Sequence, residues 1–138
     1  MAQQAVLTLA DGAATPVNHT FSPVGKNDAG VAKWVDRVGG IAIGYPVITM
    51  AVREPTKAKR SFTVTRRVVL PILEVTSPST STGIQPAPTK AYDLVCDTTY
   101  SLPERSSKLE RQHLLAYAKN FDAAAVMQSA VQDFEPSW

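Results

Sequence analysis

The stretch from Val47 to Leu70 constrains this chain most, because it holds two alternating runs joined by a basic turn. In the first, Ile48, Met50 and Val52 alternate with Thr49, Ala51 and Arg53. In the second, Phe62 and Val64 alternate with Ser61, Thr63, Thr65 and Arg67. Side chains two apart on a strand share a face. Each run therefore offers one apolar face to a core and one face of hydroxyls and cations. Pro55 has no N–H to give a ladder, so it ends the first run.

Between Arg53 and Arg67 the cations Lys57, Lys59, Arg60 and Arg66 accumulate against a single acid, Glu54. One reading is a solvated antiparallel hairpin whose lysines protect an exposed edge. The other is a sheet face that meets phosphates, with threonines placed to touch bases. Cations supply affinity for nucleic acid and short polar groups supply discrimination. The whole 138-residue chain carries a formal net charge of only +2, so the basic patch is local. A local patch favours a partner-facing surface over general stickiness.

The remaining pattern supplies a sheet around this hairpin. Residues 4–10 alternate, Asp11-Gly12 offers a turn, and residues 15–22 alternate again, which predicts an N-terminal hairpin over 1–22. Residues 23–30 are turn-rich, and 30–38 read as a strand anchored by Trp34. The second arm of the central hairpin continues to Val75, with Pro71 marking a bulge or an edge. Residues 76–90, rich in proline and hydroxyls, form a long loop, and 91–100 form a last strand. Ser101-Leu102-Pro103-Glu104 reads as a capping box, predicting one helix to Lys119 and a second, capped by Asp122, through Phe134. The fold class is α+β in a single domain over 1–138: a hairpin, an antiparallel sheet over 30–100, and two helices over 101–135. Two such helices cover a sheet face only in part, so a second copy is expected to supply the rest.

Catalytic constellations are poor. His19 and His113 have no second ligand close in sequence, and Glu110 with His113 reads as a solvated helix face. Asp93 and Asp97 share a strand face but stand roughly 13 Å apart, too far to act as a pair on one bond. The lone Cys96 excludes a disulfide framework and a multi-cysteine metal site. No cofactor, small-molecule substrate or membrane partner is expected, and no apolar run approaches the ~20 residues of a membrane helix. The chain is not expected to be an enzyme. Tyr92, opening the last strand, is a candidate to stack on an unpaired base.

Assembled in this order, the residues resemble the coat proteins of the small single-stranded RNA bacteriophages, the levivirus group. The specific pieces are Gly30-Val31-Ala32-Lys33-Trp34, the segment from Val52 to Pro71, and Ala91-Tyr92. The resemblance spans essentially the whole length.

It implies an interlocked homodimer with a continuous sheet across the pair, each subunit's helices lying across the other. Such dimers build an icosahedral shell, typically T=3, that forms in the bacterial host cytoplasm and encloses the single-stranded RNA genome. In several members the inward sheet face also binds an RNA hairpin and represses translation. Carried over by position, Val31, Thr49, Ala51, Thr63 and Thr65 would line adenine pockets. Arg53, Lys59, Arg60, Ser61 and Arg67 would approach phosphates, and Tyr92 would stack on a loop base. Ala51 stands where a hydroxyl is common, Thr65 where a longer polar or basic side chain is, and Leu94 where a polar reader is expected. The loop at 76–90 would sit around the symmetry axes. The alternative from the residues alone is a dimeric RNA-binding regulator that never assembles.

Overall fold

The computed structural model describes residues 2–74, 83 and 87–138. The strands follow one another both in sequence and in space: β1 (Leu7–Ala10), β2 (Asn18–Lys26), β3 (Ala32–Val35), β4 (Val47–Arg53), β5 (Ser61–Leu73) and β6 (Lys90–Pro103). The helices α1 (Lys108–Asp122) and α2 (Ala125–Gln132) come after them. The α+β class read from the sequence is the observed one. Two compact units make up the chain: Met1–Glu54 with Phe62–Ser101, and Pro55–Ser61 with Leu102–Trp138.

In the first unit the β4–β5 register pairs Ile48 with Val68, Met50 with Arg66 and Val52 with Val64. Thr49 pairs with Arg67, Ala51 with Thr65 and Arg53 with Thr63. Alternation thus separates two faces as expected, but of the apolar side only Ile48 is buried, while Met50, Val52 and Phe62 are exposed. Phe21, Ala32, Trp34 and Ile48 form the buried cluster, with Leu7 and Val68 packed against it. Trp34 also ties down the N-terminal segment, since its Nε1 donates to the Ala5 carbonyl at 2.8 Å. Gln4 Nε2 donates to the Lys33 carbonyl at 2.7 Å in the same way.

Several boundaries differ from the sequence expectation. Strand β2 runs through Pro23 to Lys26, where a turn was expected, because a bulge between Pro23 and Gly25 absorbs the proline. Gly25 takes φ 114, a conformation closed to most side chains. The turn itself spans Asn27 to Gly30, with the Asn27 side chain accepting from Val31 N at 2.9 Å. Strand β3 stops at Val35, short of the expected Val38, because Asp36 folds back to accept from Val38 N at 3.0 Å. Pro71 is accommodated within β5 because it lies beyond Val69, the last β5 residue in register with β4. Most of the expected loop at 76–90 lies outside the described residues. Its base is closed by Glu74 N donating to the Thr89 carbonyl at 2.8 Å.

In the second unit the helix start is displaced. Ser101 to Pro103 finish β6, and the capping box is Ser107 with Glu110. Asp122 ends α1 instead of capping α2, whose N-cap is Ala124 with no side-chain bond. The helices thus begin at Lys108, not at 101. Neither contains a buried residue. Leu109, Leu114, Leu115, Phe121, Val126 and Val131 are all exposed.

Candidate nucleic-acid interface

Strand pairing builds the site from rows of side chains. The β3–β4 register sets Lys33 opposite Thr49, and the β4–β5 register sets Thr49 opposite Arg67. Beyond Arg67, Asp97 on β6 brings Oδ1 to 3.7 Å from the guanidinium Nε. This row crosses four strands on the face away from Trp34 and Ile48. Ala51–Thr65 and Arg53–Thr63 follow it on the same face.

An open cleft of about 430 Å³ lies among Val31, Thr49, Ala51, Arg53, Thr65 to Arg67 and Asp97 to Thr99. A smaller depression of about 210 Å³ adjoins it, lined by Val24 to Asn27, Val31, Lys33 and Thr49. Val31 and Thr49 border both. Ala51 forms a buried floor, whereas Thr49, Thr63 and Thr65 are half-buried, with Arg53 and Arg67 exposed at the rim. Small hydroxyl-lined hollows edged by mobile cations suit unstacked bases joined by phosphates.

The structure brings together Val31, Thr49, Ala51, Arg53, Thr63, Thr65 and Arg67. Lys59, Arg60 and Ser61 belong to the second unit. There Thr56 N and Lys59 N bond to the carbonyls of Lys59 and Thr56, and the Arg60 carbonyl accepts from Glu104 N. Lys59 and Arg60 are exposed.

Asp97 meets Arg67, and the next residue, Thr98, accepts from Arg66 Nη2 at 3.0 Å. The β6 residues that line the cleft are Asp97, Thr98 and Thr99. Tyr92 and Leu94 lie nearer the start of β6, exposed and outside the lining of the cleft.

Sequence reading also missed Lys33, Asp97 and Thr99 as members of the face. Lys33 was legible in principle, since a neighbour of a core tryptophan on a strand must point the other way. Asp97 needed the β5–β6 alignment, which no sequence pattern fixes.

The sheet thus carries a basic, hydroxyl-lined cleft, and among the described residues no cluster of His, Cys, Asp and Glu is placed to hold a metal ion. The chain belongs to the levivirus coat protein family, whose model matches residues 2–138. It is a capsid component of the virion, and its role there is structural. The virus-like particle of bacteriophage ESE058 is 30% identical, with a TM-score of 0.90 over 99% of this chain and 100% of that one. That of bacteriophage NT-214 is 32% identical, with a TM-score of 0.85 over 99% and 100%. The capsid protein of bacteriophage GA shares the fold at 16% identity, with a TM-score of 0.71 over 94% of each chain. No curated protein sequence matches the chain.

Proposed function

We propose that this coat protein forms an obligate homodimer that assembles into an icosahedral shell, of T=3 type, around single-stranded phage RNA. Dimerisation is supported by two features of the isolated chain. Strand β6 ends the sheet, so its outer edge is free to pair with a second copy. Helices α1 and α2 bury none of their apolar residues, which in water calls for a covering surface. A second copy whose helices cross this sheet, and whose sheet receives these helices, satisfies both.

The observation that carries the RNA reading is the row Lys33–Thr49–Arg67 with Arg53 and the three threonines on the same face. Arg53 and Arg67 approach phosphates, and Lys59, Arg60 and Ser61 of the basic turn are phosphate contacts in their own right. Val31, Thr49, Ala51, Thr63 and Thr65 receive bases. The same face binds an RNA hairpin and thereby represses translation. The relatives named as virus-like particles support the shell.

Negative-stain microscopy and light scattering of the purified protein, with the absorbance ratio reporting RNA, test the proposal together. Closed particles containing RNA are the expected result, with RNA released as salt rises because phosphate contacts depend on counterions. Salt-sensitive RNA binding by dimers that never close would favour the regulator reading instead. Particles that retain no RNA would remove the role of the cleft.

A further inference from the structure

The N-terminal hairpin is held by an arrangement that the coat function does not require. His19 on β2 places Nε2 at 3.0 Å from Asp11 Oδ2 and Nδ1 at 3.2 Å from Asp36 Oδ2. Asp11 sits in the β1–β2 turn, and its other oxygen accepts from Ala13 N at 3.1 Å and Val17 N at 3.0 Å. Asp36 follows β3, is almost fully buried at 3% exposure, and its other oxygen accepts from Val38 N. One imidazole thus joins the turn of the hairpin to the chain leaving the third strand.

The contacts suit a doubly protonated ring. The other oxygen of each acid already accepts a backbone N–H, and the oxygen turned to His19 is placed to accept one more. A neutral imidazole has one N–H and one lone pair, so it can donate to only one of them. The imidazolium, with two N–H groups, donates to both. The remaining neighbours do not alter this. Leu9 stands opposite His19 on β1, Val35 and Val38 flank the buried acid, and no ion pair joins Arg37 to either carboxylate among the described residues.

We propose that Asp11, His19 and Asp36 form a proton-operated latch that fastens the β1–β2 hairpin when the imidazole is doubly protonated and releases it as pH rises. The latch matters because β1 has little else to hold it. The strand is four residues long, sits at the sheet edge, and only Leu7 contributes to the core. Besides its four-residue ladder with β2, it is tied to the rest of the sheet by the bonds from Trp34 to Ala5 and from Gln4 to Lys33.

The sign of the pH dependence follows. Bonding to Asp11, then to Asp36, raises His19 above its ordinary value of 6.5. Its contribution is fully present below that value and is lost as pH rises through the raised one. Asp11 is lowered from 3.8, first by the Val17 amide and then by His19, so its contribution is lost only in acid, as pH falls through the lowered value. The latch is therefore shut below the ordinary histidine value and opens as pH rises through the raised one.

Hydrogen exchange of the full-length protein tests this, with labelling times corrected for intrinsic rates between about pH 5.5 and about pH 8.5. Peptides covering 7–26 are expected to lose protection severalfold across that range, while peptides of α1 do not. His19→Gln should abolish the difference. The milder Asp11→Asn, which leaves the buried acid in place, should move the transition to lower pH. Hairpin protection that parallels α1 throughout, or a pH dependence that survives His19→Gln, would overturn the latch.

Discussion

Arg67 Nε lies 3.7 Å from Asp97 Oδ1, so an acid sits beside a cation on the face that carries Thr49 and Thr65. Their side chains are 55% and 61% exposed, and solvent screening leaves such a pair worth little to stability. If Arg67 contacts phosphates as proposed, the effect of the pair falls on binding, because the carboxylate repels them. Asp97→Asn is expected to strengthen binding to RNAs of any sequence while shifting stability by no more than about 0.5 kcal/mol. Titrations with unrelated RNAs at several salt concentrations check this, and equal affinities would show that the acid does not temper the cleft.

Arg53 and Thr63 pair across β4 and β5, yet their chemistry predicts different losses. Arg53→Ala should weaken binding uniformly across sequences and reduce the salt slope by about one unit, as expected for a phosphate contact. Thr63→Ala removes a short hydroxyl paired with Arg53 at the edge of the cleft, so it should weaken a hairpin ligand more than an unstructured one. Fluorescence anisotropy with both RNA types separates the two patterns. Neither change should prevent shells from forming.

Tyr92→Ala tests the stacking role. Stacking on a base is worth ~1–3 kcal/mol, so removing the exposed Tyr92 ring is expected to cost about tenfold or more in affinity for a hairpin RNA while leaving shells intact. Unchanged affinity would remove Tyr92 from the RNA-binding face.

The legible and illegible parts of this chain divide along physical lines. The two faces of β4 and β5 were readable from residues 47–67, because strand alternation is a local rule and one face must be apolar. The class of fold followed from strands preceding helices. The start of α1 was misplaced because Ser101 to Glu104 and Ser107 to Glu110 have equivalent capping chemistry, and only pairing of β6 through Pro103 decides between them. The end of β3 depended on the side chain of Asp36 bonding to its own backbone. His19 appeared isolated because its two carboxylates lie 8 and 17 residues away, brought close only by the hairpin and by the β2–β3 pairing.

Trp34 is 6% exposed and combines packing against Phe21 and Ile48 with a hydrogen bond to the N-terminal segment. Trp34→Ala should cost roughly 3–5 kcal/mol, the usual range for removing a large buried aromatic. Trp34→Phe keeps much of the ring but loses the Nε1 donor, so it should cost less while loosening residues 2–6 selectively. Chemical denaturation measures the first effect and hydrogen exchange the second. A Trp34→Ala protein as stable as the wild type would contradict the core assigned here.

Gly44 fits beside Leu73 only because it has no side chain. A Cβ at this position would meet Leu73 Cδ1 at 2.8 Å and Cγ at 2.9 Å. Gly44→Ala must displace the leucine, and overpacking of this kind typically costs 1–3 kcal/mol. Pairing it with Leu73→Ala should recover part of that loss, since the obstructing atoms are then gone. A double-mutant cycle in denaturant reads the coupling, and strictly additive effects would rule out the clash as the cause.

Ser107 and Glu110 close the first turn of α1 reciprocally: Glu110 Oε2 accepts from Ser107 N at 2.7 Å, and Ser107 Oγ accepts from Glu110 N at 3.2 Å. Ser107→Ala should cost about 1 kcal/mol, the ordinary loss for an N-cap. The bonds from Ser107, backbone first, hold the Glu110 carboxyl below its ordinary 4.5. A lowered acid contributes stability that is complete above its ordinary value and is lost as pH falls through the lowered one. Helical ellipticity is therefore expected to fall with an acid transition below pH 4.5 that Glu110→Gln removes, since the amide keeps an acceptor oxygen but does not titrate. An acid transition unchanged in Glu110→Gln would assign it to another carboxylate of the chain.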